Sequence, residues 1–203
     1  MSEQRTGPIP HKERLLRQGM KLFYAHGYHG TTVDAILEAS GVPKGSFYYH
    51  FGSKEAFGKA VLARYIEFQV NLLGAWTAKE DLSTSEKLTG YYDEMVQTFI
   101  RSGYRLACLA GKFSTELSVE IESFREQLAT NLHDWHLRLR DVLEEGQERG
   151  DVRRDRSAEE LADALLAMIQ GAFVISLSLR EDRALLSIGA SISVLIDPPR
   201  ADA

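Results

Sequence analysis

The 203-residue sequence has one cysteine, five prolines and no long stretch in which polar and apolar residues alternate. A single cysteine excludes an intramolecular disulfide and is typical of a reducing compartment. The scarcity of proline and the missing alternation favour helices over strands. The N-terminal segment lacks the apolar run of a signal peptide, so we expect a cytoplasmic protein.

Long hydrophobic runs are also scarce. Only residues 161–179 approach the length that crosses a bilayer. This stretch contains Asp163 and Gln170 and has no basic or aromatic flanking belts, features that count against a membrane span. The sequence therefore predicts a buried helix here, and no membrane partner.

The charge is unevenly distributed. The formal net charge of −5 argues against a general polyanion binder. Residues 1–60, however, hold eight Lys and Arg residues against five acidic residues, a formal charge of +3, which leaves −8 for the rest. A protein whose N-terminal part is basic and whose remainder is acidic can bind DNA through the first part while the second is repelled. This helps to fix the orientation of the bound protein.

Residues 31–51 have the pattern of two short helices separated by a tight turn. Thr31 and Thr32 are typical N-cap residues, and Asp34 follows Thr31 at the spacing of a capping box. The run 40–43, Ser-Gly-Val-Pro, ends the first helix because glycine accepts the left-handed C-cap conformation and proline cannot continue a helix. The second helix fills the rest of the segment.

The second helix is too short and too polar to be stable through its own burial. Its hydrogen-bonding side chains are Lys44, Ser46, Tyr48, Tyr49 and His50. Such a helix must be displayed by its neighbours, as in a helix-turn-helix, whose second helix enters the major groove of DNA. Phe47 and Phe51 are predicted to be core residues, and a core position is the alternative for Tyr48.

The candidate DNA contacts divide by chemistry. Phosphates suit Thr31, Thr32, Lys44, Tyr48, Tyr49 and Lys54, whereas base edges suit Lys44, Ser46 and His50. Gly45 lets the backbone approach the DNA closely. Lys54 follows Ser53, the predicted N-cap of the fourth helix, where backbone amides already attract a phosphate.

The segment TTVDAILEASGVPKGSFYYHFGSKEAF, preceded by Gly27 and Tyr28, closely resembles the DNA-binding signature of TetR-family transcriptional regulators. The resemblance spans residues 11–60. It implies an all-α fold with an N-terminal three-helix DNA-binding domain and a larger helical domain for ligand binding and dimerisation. It also implies DNA contacts at the positions given above.

The predicted organisation has three parts. Residues 1–10 form a flexible arm in which Arg5 is a candidate minor-groove contact, with a tail of no consequence as the alternative. Residues 11–60 form the helix-turn-helix domain (the head), and 61–203 form the ligand-binding and dimerisation domain (the body). The fourth helix, predicted to end near Gly74, joins the two, so a shift at its far end would swing the head.

The last two helices are predicted at about 157–179 and 182–196, and both are apolar on most of their surface. One small domain cannot cover two adjacent helices of this kind, and an uncovered apolar patch marks an association surface. We therefore expect a homodimer in which both helices pair with their copies in a four-helix bundle. Two heads on such a dimer would bind a palindrome.

Aromatic and methionine side chains are frequent on helices four to eight. Plain core packing is the ordinary explanation, but apolar cavities between helices are also the usual small-molecule sites. The residues predicted to line such a pocket are Met95, Phe99, Cys108, Trp135 and Phe173. The expected effector is accordingly small and largely apolar.

Cys108 lies in the segment 105–116, which resembles a Gly-Cys-Leu stretch followed by Glu in a TetR-family branch that senses reactive electrophiles. Ala107 replaces the glycine, which weakens this parallel. Arg105 and Lys112 would lower the thiol pKa if they approached it, which would make a thiolate sensor. The alternative is an inert buried cysteine.

No pattern for catalysis is present. The sequence has no Ser-His-Asp arrangement, glycine-rich phosphate loop or cysteine cluster, and His133 and His136 have no evident third metal ligand. We therefore expect no enzyme, metal or cofactor. The favoured hypothesis is a dimeric repressor that a small effector releases from a palindromic operator. The alternatives are a repressor switched by covalent modification of Cys108 and a ligand-binding scaffold that does not bind DNA.

Overall fold

The computed structural model describes residues 9–199, in which nine α-helices are the only regular secondary structure. They are α1 (His11–His26), α2 (Val33–Ser40), α3 (Lys44–Phe51), α4 (Lys54–Thr77), α5 (Thr84–Arg101), α6 (Leu109–Leu117), α7 (Glu122–Arg149), α8 (Ala158–Leu179) and α9 (Arg183–Ile196). The all-α prediction is confirmed. The predicted arm with Arg5 lies outside the described residues.

Serine side chains cap the starts of α4, as predicted, and of α8. Ser53 Oγ accepts a hydrogen bond from the Ala56 amide at 3.0 Å. Ser157 and Glu160 form a complete capping box at α8. These caps satisfy backbone N–H groups that have no partner within the helix.

The predicted capping box of Thr31 and Asp34 is wrong. Thr32 is the N-cap of α2, and its hydroxyl accepts a hydrogen bond from the Ala35 amide at 3.1 Å. Thr31 is buried, and its hydroxyl donates to the Gly27 carbonyl at 2.7 Å. Thr31 therefore fastens the α1–α2 turn from inside.

Helix α6 starts only at Leu109, because the backbone before it is not helical. Tyr104 has φ 58°, which the α-helix does not allow. Ser102 Oγ then accepts hydrogen bonds from the Arg105 and Leu106 amides at 3.0 and 2.9 Å. These contacts satisfy the backbone in an extended connection in place of a helical turn.

Helix α4 joins two packed layers. Its first half contacts α1 and α3, where Phe57 packs against Phe47 and Phe51 with ring centroids 5.1 and 4.9 Å apart. The same helix also contacts α5, α6 and α7, and Ser123 Oγ of α7 donates to Glu55 Oε1 in its first turn at 2.5 Å. The helix is uninterrupted from Lys54 to Thr77 and therefore passes through both layers.

Helices α8 and α9 pack against each other and against α7 and α5. α8 is long and apolar enough to cross a membrane by length and composition, but its inward face lies in the core. The prediction of a buried helix therefore holds for one face only. The exposed apolar residues of the pair are Val174, Ile175, Leu177, Leu179, Leu186 and Val194.

Candidate DNA-binding face and ligand cavity

Helix α3 turns one aromatic side into the core and a polar side outward. Phe47 is fully buried and Phe51 is half-buried, as predicted. Tyr48 is 44% exposed and Tyr49 is 85% exposed, which rules out a core position for Tyr48. A large aromatic side chain that is left in solvent on a short helix is available to contact a partner.

Neighbouring helices orient the polar side chains of α3. His11 Nδ1 on α1 lies 3.2 Å from Ser46 Oγ, and Lys44 Nζ lies 3.9 Å from Asp34 Oδ1 on α2. Beside Gly45, a Cβ would have no neighbour within 4 Å, so this part of the backbone faces open space. Helix α3 is thus held by contacts with α1 and α2, and its backbone at Gly45 is open to solvent.

Arg14 fixes the turn between α2 and α3. Its Nη2 donates to the Ser40 carbonyl at 2.5 Å and to the Gly41 carbonyl at 3.1 Å. Gly41 has φ 61° and ends α2 in the left-handed conformation. A cation at these free carbonyls compensates for the end of the helix, and it ties the turn to α1.

Of the remaining candidate DNA contacts, Thr32 is exposed and Thr31 is buried. The prediction of a DNA contact at Thr31 is therefore withdrawn. Lys54 Nζ lies 4.4 Å from the centroid of the Tyr28 ring. Burial lowers the pKa of Lys54, and nearby Glu116 opposes this change. The backbone N–H of Lys54 lies in the first turn of α4, where amides without a partner in the helix can attract an anion. His50 is exposed.

A cavity of about 140 Å³ lies in the body beneath α1. Its walls come from α1, α4, α5, α7, α8 and the segment before α6. They consist of Met20, Tyr24, Tyr65, Phe68, Gln69, Leu72, Glu94, Met95, Thr98, Leu106, Ala107, Cys108, Trp135, Ile169, Gln170 and Phe173. Four of the five predicted pocket residues are therefore neighbours here: Met95, Cys108, Trp135 and Phe173.

Phe99, the fifth predicted residue, does not line the cavity. Its ring is fully buried and packs edge-on against Tyr104 and Phe173, at 5.4 and 5.3 Å between centroids. Phe99 lies one turn beyond Met95 on α5 and supports the wall from behind.

Most polar residues of the wall were missed from the sequence. Tyr24 and Tyr65 lie in the apolar stripes of α1 and α4 and look like ordinary core residues. Gln69 and Gln170 interrupt such stripes, which is the one signal that sequence offers for a polar group inside the body. Nothing in the sequence indicates that α1, a helix of the head, contributes to the cavity.

The phenols around the cavity are uncharged, and no cationic side chain lines it. Burial first, and the nearby Cys108 sulfur second, raise the pKa of Tyr24, Tyr65 and Tyr91. These phenols therefore stay neutral at physiological pH. No Lys or Arg is among the residues that line the cavity, and its carboxylate, Glu94, accepts a hydrogen bond from Trp76 Nε1 at 2.9 Å.

The cavity continues into a wider surface opening of about 590 Å³ between α1 and α4. The two spaces share Met20, Tyr24, Tyr65, Phe68 and Leu106. Arg17, Lys21 and Arg64 stand on the rim. A ligand that enters this way must pass between the first helix of the head and the helix that joins the head to the body.

Helix α6 connects the cavity wall to the head. Cys108 at its N-cap accepts a hydrogen bond from the Gly111 amide at 3.3 Å. Lys112 Nζ donates to the Tyr24 carbonyl of α1 at 2.8 Å. Glu116 accepts hydrogen bonds from the Tyr28 and His29 amides of the α1–α2 turn at 3.0 and 2.9 Å.

The surroundings of Cys108 differ from those expected for an activated thiol. Lys112 directs its ammonium group to the Tyr24 carbonyl, and Arg105 is exposed to solvent. The sulfur is buried beside the tyrosines of the cavity.

The two histidines of α7 contact each other, and one of them contacts α8. The rings of His133 and His136 are stacked with centroids 6.4 Å apart, and His136 Nε2 lies 3.0 Å from Asp163 Oδ1 on α8. Within residues 9–199, no group of three or more His, Cys, Asp or Glu residues is placed to hold a metal ion.

Two family models match the chain. Residues 15–61 match the bacterial regulatory proteins of the tetR family, and residues 84–190 match a tetracyclin repressor-like C-terminal domain. The first match contains α2, α3 and the start of α4, and the second contains all five predicted pocket residues.

Curated relatives and solved structures agree with these matches. The transcriptional repressor DhaR of Mycobacterium sp. (strain GP1) is 35% identical over 165 residues, 81% of each chain. The transcriptional regulator AcuR of Cereibacter sphaeroides is 31% identical, over 84% of this chain and 78% of that one. The reduced form of Escherichia coli NemR superposes with a TM-score of 0.86 at 28% identity, over 94% of this chain and 99% of that one.

Proposed function

Because the chain belongs to the TetR family of bacterial regulatory proteins, we propose that it is a cytoplasmic, dimeric repressor that a small, largely apolar effector releases from operator DNA. One observation carries the proposal. The N-cap of helix α6, Cys108, lies in the cavity wall, and Glu116 near the other end of the helix holds the turn of the DNA-binding head. Residues 11–60 act as the head, and residues 61–203 as the body.

The proposed DNA face combines α3 with the starts of α2 and α4. It consists of Thr32, Lys44, Gly45, Ser46, Tyr48, Tyr49, His50 and Lys54. Lys44, Tyr48, Tyr49 and Thr32 meet phosphates, and Lys54 does so through its backbone amide. Ser46 and His50 point to base edges in the major groove, where Lys44 can also reach. The exposure of this surface also argues against a scaffold that does not bind DNA.

One short recognition helix contacts too few base pairs to be selective. A second copy of the chain supplies the second head, and the exposed apolar surface of α8 and α9 is the surface that supports its docking. The two pairs of helices form a four-helix bundle with twofold symmetry. A twofold dimer binds two half-sites in inverted orientation, hence a palindromic operator.

Release is a shift in population between two arrangements of the heads. The effector favours a body conformation in which the heads no longer match successive turns of the duplex. A hundredfold loss of operator affinity requires the effector to bind that conformation more tightly by about 2.7 kcal/mol. A ligand in the cavity would touch α1, α4 and Cys108, the N-cap of α6, and these three elements set the position of the head.

Replacing Lys44 with alanine tests the DNA face. Because each lysine on a phosphate releases a counterion, the variant is expected to bind operator more weakly across sequences. The slope of log K against log salt should decrease by about one for each protomer. Fluorescence anisotropy at several salt concentrations measures both quantities.

Lys79→Ala is the matched control, because the Lys79 ammonium packs on the Trp76 ring, 3.0 Å from its centroid, at the far end of α4. It should leave the slope unchanged. Equal slopes for the Lys44 variant and the wild type would remove Lys44 from the DNA contacts.

A second candidate function is a repressor switched through Cys108. Two observations favour it: the thiol lines the effector cavity, and it caps α6, so that a group attached to sulfur would displace the N-terminus of that helix. Cys108→Ser separates the two candidates. If covalent modification is the signal, the serine variant remains on DNA when a thiol-reactive compound is added. Full release of the serine variant would reject this candidate.

A further inference from the structure

The surface opening that leads to the cavity has two exposed cations on one side of α1. Arg17 and Lys21 lie four residues apart, so their side chains project from the same side of the helix. Met20 and Tyr24, which line both the opening and the cavity, lie next to them on that side. The opening is therefore basic at its rim and largely apolar where it meets the cavity.

No carboxylate of the described residues forms an ion pair with Arg17 or Lys21. Arg64, the third cation of the rim, donates to both carboxylate oxygens of Glu13 at 2.5 and 2.6 Å. The opening has one carboxylate of its own, Glu67 on α4. Positive charge is therefore in excess at the rim, and the α1 side supplies it.

The cavity itself does not suit an anion. No lysine or arginine is among its lining residues, and the carboxylate of Glu94 is. An anionic group inside would lose its hydration without gaining a counter-charge, and that carboxylate would repel it. In the opening, the same group would keep its contact with water. A ligand that occupies both spaces is therefore oriented with its apolar part inward and its charge at the rim.

The volume of the cavity sets the size of the apolar part. The cavity of about 140 Å³ is close to the engineered apolar cavity of about 150 Å³ that holds benzene. We propose that the effector is an amphipathic monoanion, in which about six to eight carbon atoms fill the cavity and an anionic head group binds Arg17 and Lys21 at the rim. This inference rests on the proposed function, since it names the chemical class of the effector for the same site.

Octanoate and octanamide test the inference. They have the same number of non-hydrogen atoms and nearly the same shape, but only octanoate is charged. Calorimetric titration of the full-length protein without DNA should show that octanoate binds about three- to tenfold more tightly at low salt, the range of two exposed ion pairs. The preference should decrease at about 1 M salt, which screens exposed charges. Equal affinities at low salt, or no binding of octanoate, would overturn the inference.

The double substitution Arg17→Gln and Lys21→Gln removes both charges at exposed positions and should abolish the preference for octanoate. Retained binding of octanamide shows that the variant is folded with an intact cavity. Lys12→Gln with Arg138→Gln is the matched control, because it removes the same charge from exposed positions outside the opening, and it should keep the preference. A preference that persists in the Arg17 and Lys21 variant would also overturn the inference.

The two proposals can fail separately. DNA release is measured in parallel by anisotropy with labelled operator. A preference for octanoate without release upholds the role of Arg17 and Lys21 and contradicts release by an effector. Release by either probe without a preference for octanoate does the reverse.

Discussion

The double substitution Val174→Glu and Val194→Glu is expected to convert the dimer into monomers and to lower operator affinity by about a hundredfold or more. Val174 on α8 is 60% exposed and Val194 on α9 is 78% exposed in the single chain, so charges there leave the core of the protomer unchanged. In the dimer, each charge would be buried against the partner without a counter-charge. Light scattering gives the mass, and anisotropy gives the affinity.

Val119→Glu is the matched control for the dimer surface. Val119 is 95% exposed on the connection between α6 and α7, away from the surface formed by α8 and α9. This variant should remain dimeric with wild-type operator affinity. A double variant that stays dimeric would place the interface elsewhere, and a monomer that binds operator as tightly as the wild type would contradict the two-headed model.

Glu116→Ala is expected to loosen the head from the body. The Glu116 carboxylate accepts both hydrogen bonds that join α6 to the α1–α2 turn, and a hydrogen bond to a charged group contributes about 1.5–3 kcal/mol. Hydrogen exchange of the Tyr28 and His29 amides should accelerate more than about tenfold. Operator affinity should decrease by about tenfold, because the spacing of the heads is no longer fixed.

Glu120→Ala provides the comparison at the same turn. Glu120 Oε2 lies 3.1 Å from His29 Nε2, and both side chains are more than half exposed. An exposed pair of this kind contributes little, so exchange and affinity should stay near the wild-type values. If the Glu116 variant behaves like this control, α6 does not transmit the position of the body to the head.

The head was predictable from the sequence because its signals are local. Caps, the Gly41 break and the glycine and aromatic pattern follow one another within about fifty residues, and each has a direct backbone consequence. The error at Thr31 arose because two adjacent threonines can each cap α2. The hydrogen bond from the Thr31 hydroxyl to the Gly27 carbonyl, four residues back, leaves Thr32 to cap the helix.

The cavity was less predictable because it is assembled from distant parts of the chain. Periodicity shows that Phe99 and Met95 face inward, but it does not show that Phe99 lies behind Phe173. The late start of α6 follows from the backbone at Tyr104, a residue with no sequence signal for a positive φ. The resulting connection is what brings Cys108 to the cavity wall.

The central claim is that twofold-related copies of α3 bind successive major grooves. Selection of bound sequences from a random DNA pool, followed by sequencing, tests it most directly. The wild-type dimer should enrich an inverted repeat whose half-site centres lie about one helical turn apart or a multiple of it, and Tyr49→Ala and Lys44→Ala should recover less DNA. Enrichment of a single unrepeated site, or equal recovery by the α3 variants, would contradict the account.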